Sequence, residues 1–289
     1  MTDKLDIRSL TPIDFSQMYR TFVDAFSRYS VKMELTKEAF KERLEEKINI
    51  SYPHSVGAFH GEKLVGFIFN SINKYEGQQT AYNGGTGVIY DYWGKGLTTQ
   101  MYEFVIPKLK NDGVKRCVLE VITTNDKALK AYHKTGFTKT KHYKCFMLKN
   151  GLSNKKAGLS LNIITSKPKN LLDYQPLATA NPSMLDSYRQ LPYNLKSETC
   201  FEAWHNNELV GYLVFQHKTG RISQMAVKPQ YRKKGIGTNL LHKAYNLSDN
   251  KSLSVLNIEK QETELVLFFE ANGFVNELDQ FEMELKLGD

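Results

Sequence analysis

The sequence has only three cysteines in 289 residues, Cys117, Cys145 and Cys200, and no Cys-x-x-Cys pair. A disulfide framework needs a denser set of cysteines, and a structural zinc site needs close Cys or His pairs, so neither organises this chain. The seven histidines show no metal-ligand spacing either, and we expect no metal site. Such cysteine usage is typical of a reducing compartment, so we expect a cytoplasmic protein.

Long apolar runs are also lacking. No stretch approaches the roughly 18 apolar residues of a membrane-spanning helix, and residues 1–6 are polar where a secretory signal would be apolar. We therefore expect no membrane association and no export. The composition, 41% hydrophobic and 24% charged, is that of an ordinary globular protein, and the length predicts two domains.

Charge of one sign is in modest excess, and it lies in the first half. Residues 1–150 carry 23 Lys and Arg against 16 Asp and Glu, whereas residues 151–289 carry 16 against 15. This surplus favours an anionic ligand, although a solvated surface explains it equally simply. No zinc-finger spacing, basic-aromatic stripe or helix-turn-helix pattern accompanies the charge, so we expect no nucleic acid partner. A basic RNA- or ribosome-associated protein stays as a weaker hypothesis.

The two halves of the sequence resemble each other. Residues 56–69 are echoed by residues 200–215, and each segment predicts a hairpin around a polar turn. Further matches follow in the same order: residues 92–98 with 231–237, and Gly136-Phe137 with Gly273-Phe274. Because the spacing between matched segments shrinks along the chain, we expect extra loop residues in the first copy, at Lys74–Gly84.

The patterns predict an α/β chain with two tandem domains, each a central mixed sheet flanked by helices. We place the domains at residues 1–150 and 161–289, with a polar linker at 151–160. The expected helices are 15–26, 37–48 with Thr36 as N-cap, 98–111, 126–135, 238–247 and 263–272. The expected later strands are 117–122, 224–227, 253–258 and 281–287.

Two glycine-containing turns, Tyr92–Thr98 and Tyr231–Gly237, each follow a strand and open a helix. Amide groups at a helix N-terminus can hold a phosphate without any particular side chain. A tight strand-to-helix turn also favours glycine for structural reasons alone. Two such turns at matched repeat positions favour a phosphate site.

The segment Arg232-Lys233-Lys234-Gly235-Ile236-Gly237 resembles the acyl-CoA pyrophosphate loop of the GNAT N-acetyltransferase superfamily, Arg/Gln-x-x-Gly-x-Gly/Ala. In the first half, Trp93 replaces the leading basic residue of this loop and Thr98 the final small one. The resemblance implies acetyl-CoA as acyl donor and a small-molecule or peptide amine as acceptor. The cofactor-binding residues it implies are Val88, Trp93, Gly94, Lys95, Gly96, Leu97, Thr98 and Asn125, with Ala226, Val227, Arg232, Lys233, Lys234, Gly235, Ile236, Gly237 and Thr238.

The residues Leu119-Glu120-Val121, Asn125, Ala128, Tyr132 and Gly136-Phe137 resemble a further segment of this family, especially in enzymes that acetylate protein N-terminal amines. The resemblance implies that Asn125 bonds the pantetheine arm, that Tyr132 protonates the departing thiolate and that Glu120 deprotonates the incoming ammonium. An amine attacks only when neutral, and a thiolate leaves more easily beside a proton donor. Structural alternatives are a Tyr132 packed on the sheet, an Asn125 N-cap and a Glu120 surface carboxylate.

The second half has Glu262 in place of Asn125 and Phe269 in place of Tyr132. Phenylalanine cannot donate a proton, so we expect a binding or scaffolding copy unless Tyr245 or Asn257 takes over. Two functions stay open. One is an acetyl-CoA-dependent N-acetyltransferase with catalysis in the first domain, and the other is a non-catalytic acyl-CoA-binding or partner-binding tandem module.

Overall fold

A computed structural model describes residues 5–28, 35–149, 151–153, 159–167 and 170–288. The chain divides into two units, Met1–Thr140 with Glu282–Asp289, and Lys141–Phe281. These limits differ from the expected domains at 1–150 and 161–289, because residues 141–150 lie in the second unit and residues 282–289 in the first. Residues 154–158 of the expected linker lie outside the described residues.

In the described residues, the first unit is a mixed sheet with four α-helices. Its strand order is β1-β2-β3-β4-β5-β12, antiparallel from β1 to β4 and parallel between β4 and β5. The strands are β1 Leu5–Ser9, β2 Val56–His60, β3 Lys63–Tyr75, β4 Gln78–Val88, β5 Arg116–Ile122 and the end of β12, Phe274–Lys286. The helices are α1 Phe15–Phe26, α2 Lys37–Glu42, α3 Leu97–Asn111 and α4 Asp126–Thr135.

Within the part of the chain that is described, the second unit repeats this strand order as β7-β8-β9-β10-β11-β6 and carries two α-helices. Strands β10 and β11 pair in parallel, and the other strand pairs of this part are antiparallel. The strands are β6 Thr138–Leu148, β7 Asn162–Ser166, β8 Thr199–His205, β9 Glu208–Gln216, β10 Arg221–Val227 and β11 Ser254–Glu259. The helices are α5 Ile236–Leu247 and α6 Thr263–Ala271. The predicted mixed sheets flanked by helices are confirmed.

Aromatic residues form the core of the first unit. Phe67 and Phe69 on β3 stack at 4.2 Å between ring centroids, and Phe22 of α1 packs against Phe40 of α2 at 4.9 Å. Phe40 also contacts Phe69, so both helices are held on the same strand. Such aromatic pairs stabilise a core beyond the area they bury.

The expected loop at Lys74–Gly84 is wrong. These residues belong to β3 and β4, which continue as a long hairpin and turn only at Glu76-Gly77. The extra residues of the first copy lengthen its strands rather than a loop. Polar residues near the hairpin tip gave the segment the composition of a loop, although Thr80 and Ala81 are fully buried.

The helix predictions are confirmed, with two refinements. Thr36 Oγ1 accepts from Ala39 N at 3.1 Å as the N-cap of α2, and the helix continues past Glu42 as a π-helix over Arg43–Ile48. Pro107 lies inside α3 without ending it. The carbonyl that loses its donor there belongs to exposed Glu103, where water can replace the bond.

Candidate functional site

The parallel strands β4 and β5 separate part-way along their length. Their pairing ends at Asn83 opposite Leu119, although β4 continues to Val88. At Gly84, beside this last pair, β4 carries one extra residue relative to β3. A β-bulge of this kind bends its strand, so a gap opens between two parallel strand ends. Ligands of α/β sheets commonly bind in such a gap.

The second unit repeats this geometry. The strands β10 and β11 stop pairing at Ile222 opposite Val255, and β10 carries its extra residue at Ser223, next to that pair. The bulge and the last pair therefore stand together in both units. One residue beyond the last pair, the first unit has Glu120 and the second has Leu256. The pairing of β11 is irregular between Val255 and Ile258, so counting back from the following helix gives Asn257 as the counterpart of Glu120.

The turn from β4 into α3 has the backbone of an anion-binding loop. Gly94 and Gly96 both have positive φ, 77° and 71°, which glycine adopts without strain. The first helical hydrogen bond runs from Gln100 N to Gly96 O, so the amides between these residues have no acceptor within the helix. Leu97 is buried below the turn and Thr98 is half-buried, which leaves the main chain to face a ligand.

Trp93 replaces the leading basic residue of the loop without changing how the loop is attached. Its Nε1 donates to Val88 O at 2.7 Å, and Arg232 Nε donates to Val227 O at 3.2 Å in the second unit. Each side chain thereby ties the loop to the last residue of the preceding strand. Although Trp93 departs from the family pattern, it therefore preserves the attachment of the loop to the strand.

The second loop has the same backbone conformation, but a lysine stands at one of its two positions with positive φ. Lys233 and Gly235 have positive φ, 59° and 82°, at the places of Gly94 and Gly96. A lysine is strained in this region, whereas glycine is not. Around this loop, Ala226 and Val227 are the last two residues of β10, and Ile236, Gly237 and Thr238 are buried at the start of α5. Thr238 Oγ1 donates to Asn272 Oδ1 at 3.0 Å.

The charge beside the two loops differs in sign. In the first unit, Lys127 Nζ lies 4.5 Å from the ring centroid of Trp93. In the second unit, Glu264 forms ion pairs with Arg232 at 3.1 Å and with Lys233 at 3.8 Å. Lys127 and Glu264 are each the second residue of the helix that follows the central strand. The same helix position thus presents a cation in one unit and an anion in the other.

The other basic residues near the second loop are also engaged. Lys228 Nζ pairs with Glu208 at 2.7 Å, and Lys234 Nζ lies 5.1 Å from the ring centroid of Tyr231. Tyr231 donates to the same Glu208 carboxylate at 2.6 Å. Hydrogen bonds from Lys228 and Tyr231 lower the pKa of Glu208, which therefore stays ionised.

Glu120 lies at the mouth of the gap in the first unit. It is half-buried, and its Oε2 accepts a hydrogen bond from the Tyr82 hydroxyl at 2.6 Å. Tyr82 pairs with Val118 across the two strands, and Glu120 is two residues beyond Val118 on the same face. The strand register and the hydrogen bond from Tyr82 therefore hold the carboxylate in place.

Tyr132 is buried on α4 beside a second tyrosine. Its ring packs edge-on against Phe137 at 5.7 Å, and the buried Tyr102 accepts from Asn83 Nδ2 at 2.7 Å. Burial raises the pKa of Tyr102 well above its usual value, and the charge that Tyr132 would carry on ionisation raises it further. Tyr132 therefore packs within the fold, and its hydroxyl interacts electrostatically with that of Tyr102.

Asn125 is the N-cap of α4. Its Oδ1 accepts from Ala128 N at 3.1 Å, as the structural alternative predicted. The pantetheine contact implied for Asn125 stays a prediction. Glu262, its counterpart in the second unit, is the N-cap of α6 without a side-chain capping bond.

Apolar side chains fill the corresponding places of the second unit. Phe269, the counterpart of Tyr132, is fully buried in the core, and Phe268 packs so closely on the loop that a methyl group added at Gly237 would lie 2.8 Å from its ring. Tyr245 packs against the same core, and Asn257 donates to Ser183 Oγ at 3.3 Å. These contacts give either residue a structural role.

Sequence reasoning missed several residues of this site: Tyr82, Asn83, Tyr102, Lys127 and Glu264. The first three come from strands or helices remote in sequence, so only the strand register brings them to the gap. Lys127 and Glu264 could have been found from the sequence, because they have opposite charges at matched positions of the repeat.

Within the described ranges, no helix is both long enough and apolar enough to cross a membrane. Among the same residues, no group of three or more His, Cys, Asp or Glu side chains is placed to hold a metal ion.

Comparison with known proteins gives one family for both halves. The family model described as Acetyltransferase (GNAT) family matches residues 15–137, and the one described as Acetyltransferase (GNAT) domain matches residues 172–284. No curated protein matches the chain.

Several solved structures share the fold over nearly the whole chain. A GCN5-related N-acetyltransferase from Sphaerobacter thermophilus is 13% identical with a TM-score of 0.74, covering 100% of this chain and 98% of that one. A tandem GNAT protein from the clavulanic acid biosynthesis pathway is 13% identical with a TM-score of 0.75, covering 99% of both chains. A GCN5-related N-acetyltransferase from Kribbella flavida is 14% identical with a TM-score of 0.65, covering 98% and 71%.

Proposed function

Because the chain belongs to the GNAT acetyltransferase family and carries two of its domains in tandem, we propose that it is an N-acetyltransferase whose first unit acetylates a primary amine. Acetyl-CoA is the acyl donor of GNAT domains. The acceptor is the amine of a small molecule or a peptide. The three cysteines of the chain are free and buried, which supports the reducing, cytoplasmic location expected from the sequence.

The first loop fits the phosphates of an acyl-CoA. Its amides point from the start of α3, a methyl group added at Gly94 would meet no described atom within 4 Å, and Lys95 and Lys127 supply positive charge beside it. In this proposal the residues Val88 and Trp93–Thr98 hold the donor, and Asn125 contacts its pantetheine arm. When bound, acetyl-CoA supplies an acyl thioester to the gap between β4 and β5.

Glu120 is proposed as the group that takes the proton of the incoming ammonium, directly or through water. An ammonium has no lone pair, so it must lose a proton before it can attack a carbonyl. The hydrogen bond from Tyr82 stabilises the ionised form of a carboxylate and fixes the orientation of Glu120. This held carboxylate at the open end of the strand pair is the observation that carries the proposal, since the second unit has the uncharged residues Leu256 and Asn257 there.

Tyr132 is proposed as the proton donor to the departing thiolate. Its ring is fixed between α4 and Phe137, so its hydroxyl is preorganised rather than mobile. Protonation of the sulfur prevents the thiolate from attacking the new amide in the reverse direction. The second unit has phenylalanine here, and in this proposal it is a non-catalytic copy.

Replacing Tyr132 by phenylalanine tests this assignment. We expect Tyr132→Phe to lower turnover by about 10²–10⁴-fold while acetyl-CoA affinity changes little, because only the proton is removed. The measurement is thiol release from acetyl-CoA with a panel of amines, with binding followed separately by calorimetry.

Tyr193→Phe is the matched control, since Tyr193 is a half-exposed tyrosine of the second unit. It should keep the wild-type rate. An active wild-type protein whose Tyr132→Phe variant is equally fast would exclude Tyr132 as the proton donor.

A further inference from the structure

The two loops differ most at the residue that faces them from the neighbouring helix. Lys127 of α4 lies on the ring of Trp93, and Glu264 of α6 pairs with Arg232. Because Trp93 and Arg232 make the same main-chain bond, Lys127 and Glu264 occupy equivalent places. The two helices carry the same contrast: α4 holds three lysines and one aspartate, and α6 holds two glutamates and no basic residue.

The first loop therefore offers its cations to a ligand. Lys95 and Lys127 lie over aromatic rings, and among the described residues neither forms an ion pair. A lysine held over a ring keeps its full charge and N–H donors for an anion. The backbone at Gly94 and Gly96 adds amides without strain, and both glycines are exposed.

At the second loop the basic side chains are neutralised by a carboxylate, and a neighbouring aromatic ring takes up space beside the loop. Glu264 holds Arg232 and Lys233, so a phosphate placed there would displace a carboxylate and then meet its charge. Repulsion between like charges at this distance opposes binding. Phe268 adds a steric obstacle, because its ring packs on Gly237 where the equivalent residue of α4, Ala131, is small.

We infer that each chain binds one acetyl-CoA, in the first unit, and that Lys127 and the pair Glu264 and Phe268 set this difference. The inference rests on the proposed function for the identity of the ligand. It reverses the ranking expected from sequence, where the loop at Arg232–Gly237 matches the family pattern better than the loop at Trp93–Thr98. The charge on the facing helix decides the outcome.

The test is the stoichiometry and affinity of acetyl-CoA binding to the full chain, measured by isothermal titration. The wild-type protein should bind one acetyl-CoA per chain. Lys127→Glu should weaken binding about 10-fold or more, and the loss should shrink at high salt, since exposed charges are screened. The doubly substituted Glu264→Lys, Phe268→Ala chain should bind a second acetyl-CoA.

The controls keep the same charge changes elsewhere on the same helices. Lys130→Glu on α4 and Glu270→Lys on α6 are exposed, and each should keep the wild-type affinity and a stoichiometry of one. Glu264→Lys alone serves as a second variant in case Phe268→Ala impairs folding. On its own it should raise the total binding above one acetyl-CoA per chain at high ligand concentration.

Three results would overturn the inference: two acetyl-CoA per wild-type chain, unchanged affinity in Lys127→Glu, or a stoichiometry of one in both folded Glu264 variants. Turnover separates these from failure of the proposed function. Two bound acetyl-CoA with a turnover that still depends on Tyr132 would refute the inference alone. One bound acetyl-CoA without transfer to any amine would refute catalysis alone, and no binding would overturn both.

Discussion

At the scale of single residues, the site depends on pairs that strand register creates. Tyr82 and Glu120 are 38 positions apart, yet their hydrogen bond is 2.6 Å long because β4 and β5 place them on one face. Glu120 could be predicted from the segment it shares with the family. Tyr82 could not, because its role depends on which strand lies beside β5.

Tyr82→Phe removes the hydrogen bond to Glu120 and keeps the ring. We expect turnover to fall about 10-fold or more, because Glu120 loses the hydrogen bond that orients its carboxylate. Steady-state thiol release checks this, with acetyl-CoA affinity measured separately by calorimetry. A wild-type turnover in the folded variant would reduce Tyr82 to a packing residue.

The cysteines should be chemically silent in the native chain. Burial raises the pKa of Cys117 and of Cys200 to about 12, and Cys145 is also buried. A thiol reacts as its thiolate, so labelling by a disulfide reagent at pH 8 should be negligible in the native protein and reach three per chain in denaturant. Rapid labelling of the native chain would show that these cores open readily.

At the scale of elements, the bulge at the end of strand pairing shapes the gap. Gly84 faces Ile48 so closely that an added methyl group would lie 2.7 Å from the Ile48 side chain, which is itself fully buried. The neighbouring Gly85 has room, since its added methyl group would lie 3.5 Å from the Phe69 ring. The bulge thus needs glycine at one position and tolerates a side chain at the next.

Gly84→Ala and Gly85→Ala form a matched pair. We expect Gly84→Ala to lower the free energy of unfolding by about 1–3 kcal/mol, because a full core cannot accept the extra volume. Gly85→Ala should stay within about 0.5 kcal/mol of wild type. Urea unfolding measures both, and equal stabilities would show that Ile48 moves aside at little cost.

The elements themselves were largely predictable, because apolar periodicity and capping residues are local. Helices α1 to α6 lie where the patterns place them, and Thr36 caps α2 as predicted. The loop predicted at Lys74–Gly84 was wrong, since a polar hairpin tip and a polar loop have the same composition. Strand pairing distinguishes them, and pairing is not local.

At the scale of the whole molecule, the sequence repeat gave the number of units but not their limits. The first unit includes Glu282–Asp289, from the far end of the chain. In this segment Glu284 forms a buried ion pair with Arg116 of β5 at 2.8 Å, and Met283 and Leu287 are buried. Burial alone would lower the pKa of Arg116, but hydrogen bonds to Glu284 and Glu76 raise it. The repeat could not reveal this, because matching two sequence segments does not show which hydrophobic core each segment packs into.

Residues 1–150 expressed alone should therefore be poorly soluble or inactive. They lack the last strand of their own sheet, so the first unit loses the buried side chains of Met283 and Leu287, and Arg116 loses Glu284, one of its two carboxylate partners. Joining residues 282–289 to residues 1–150 through a flexible Gly-Ser linker should restore folding. Circular dichroism and thiol release check both chains, and a soluble, fully active 1–150 would show that the first unit does not need this strand.

The central claim is that acetyl transfer takes place in the first unit. Gly96 and Gly235 stand at the same loop position with φ of 71° and 82°, so aspartate at either position places a carboxylate against the same amides. Acetylated amine, quantified by mass spectrometry with the full chain, compares the two. We predict that Gly96→Asp lowers product formation about 10-fold or more while Gly235→Asp keeps it. Loss of product in Gly235→Asp with a normal rate in Gly96→Asp would contradict the account.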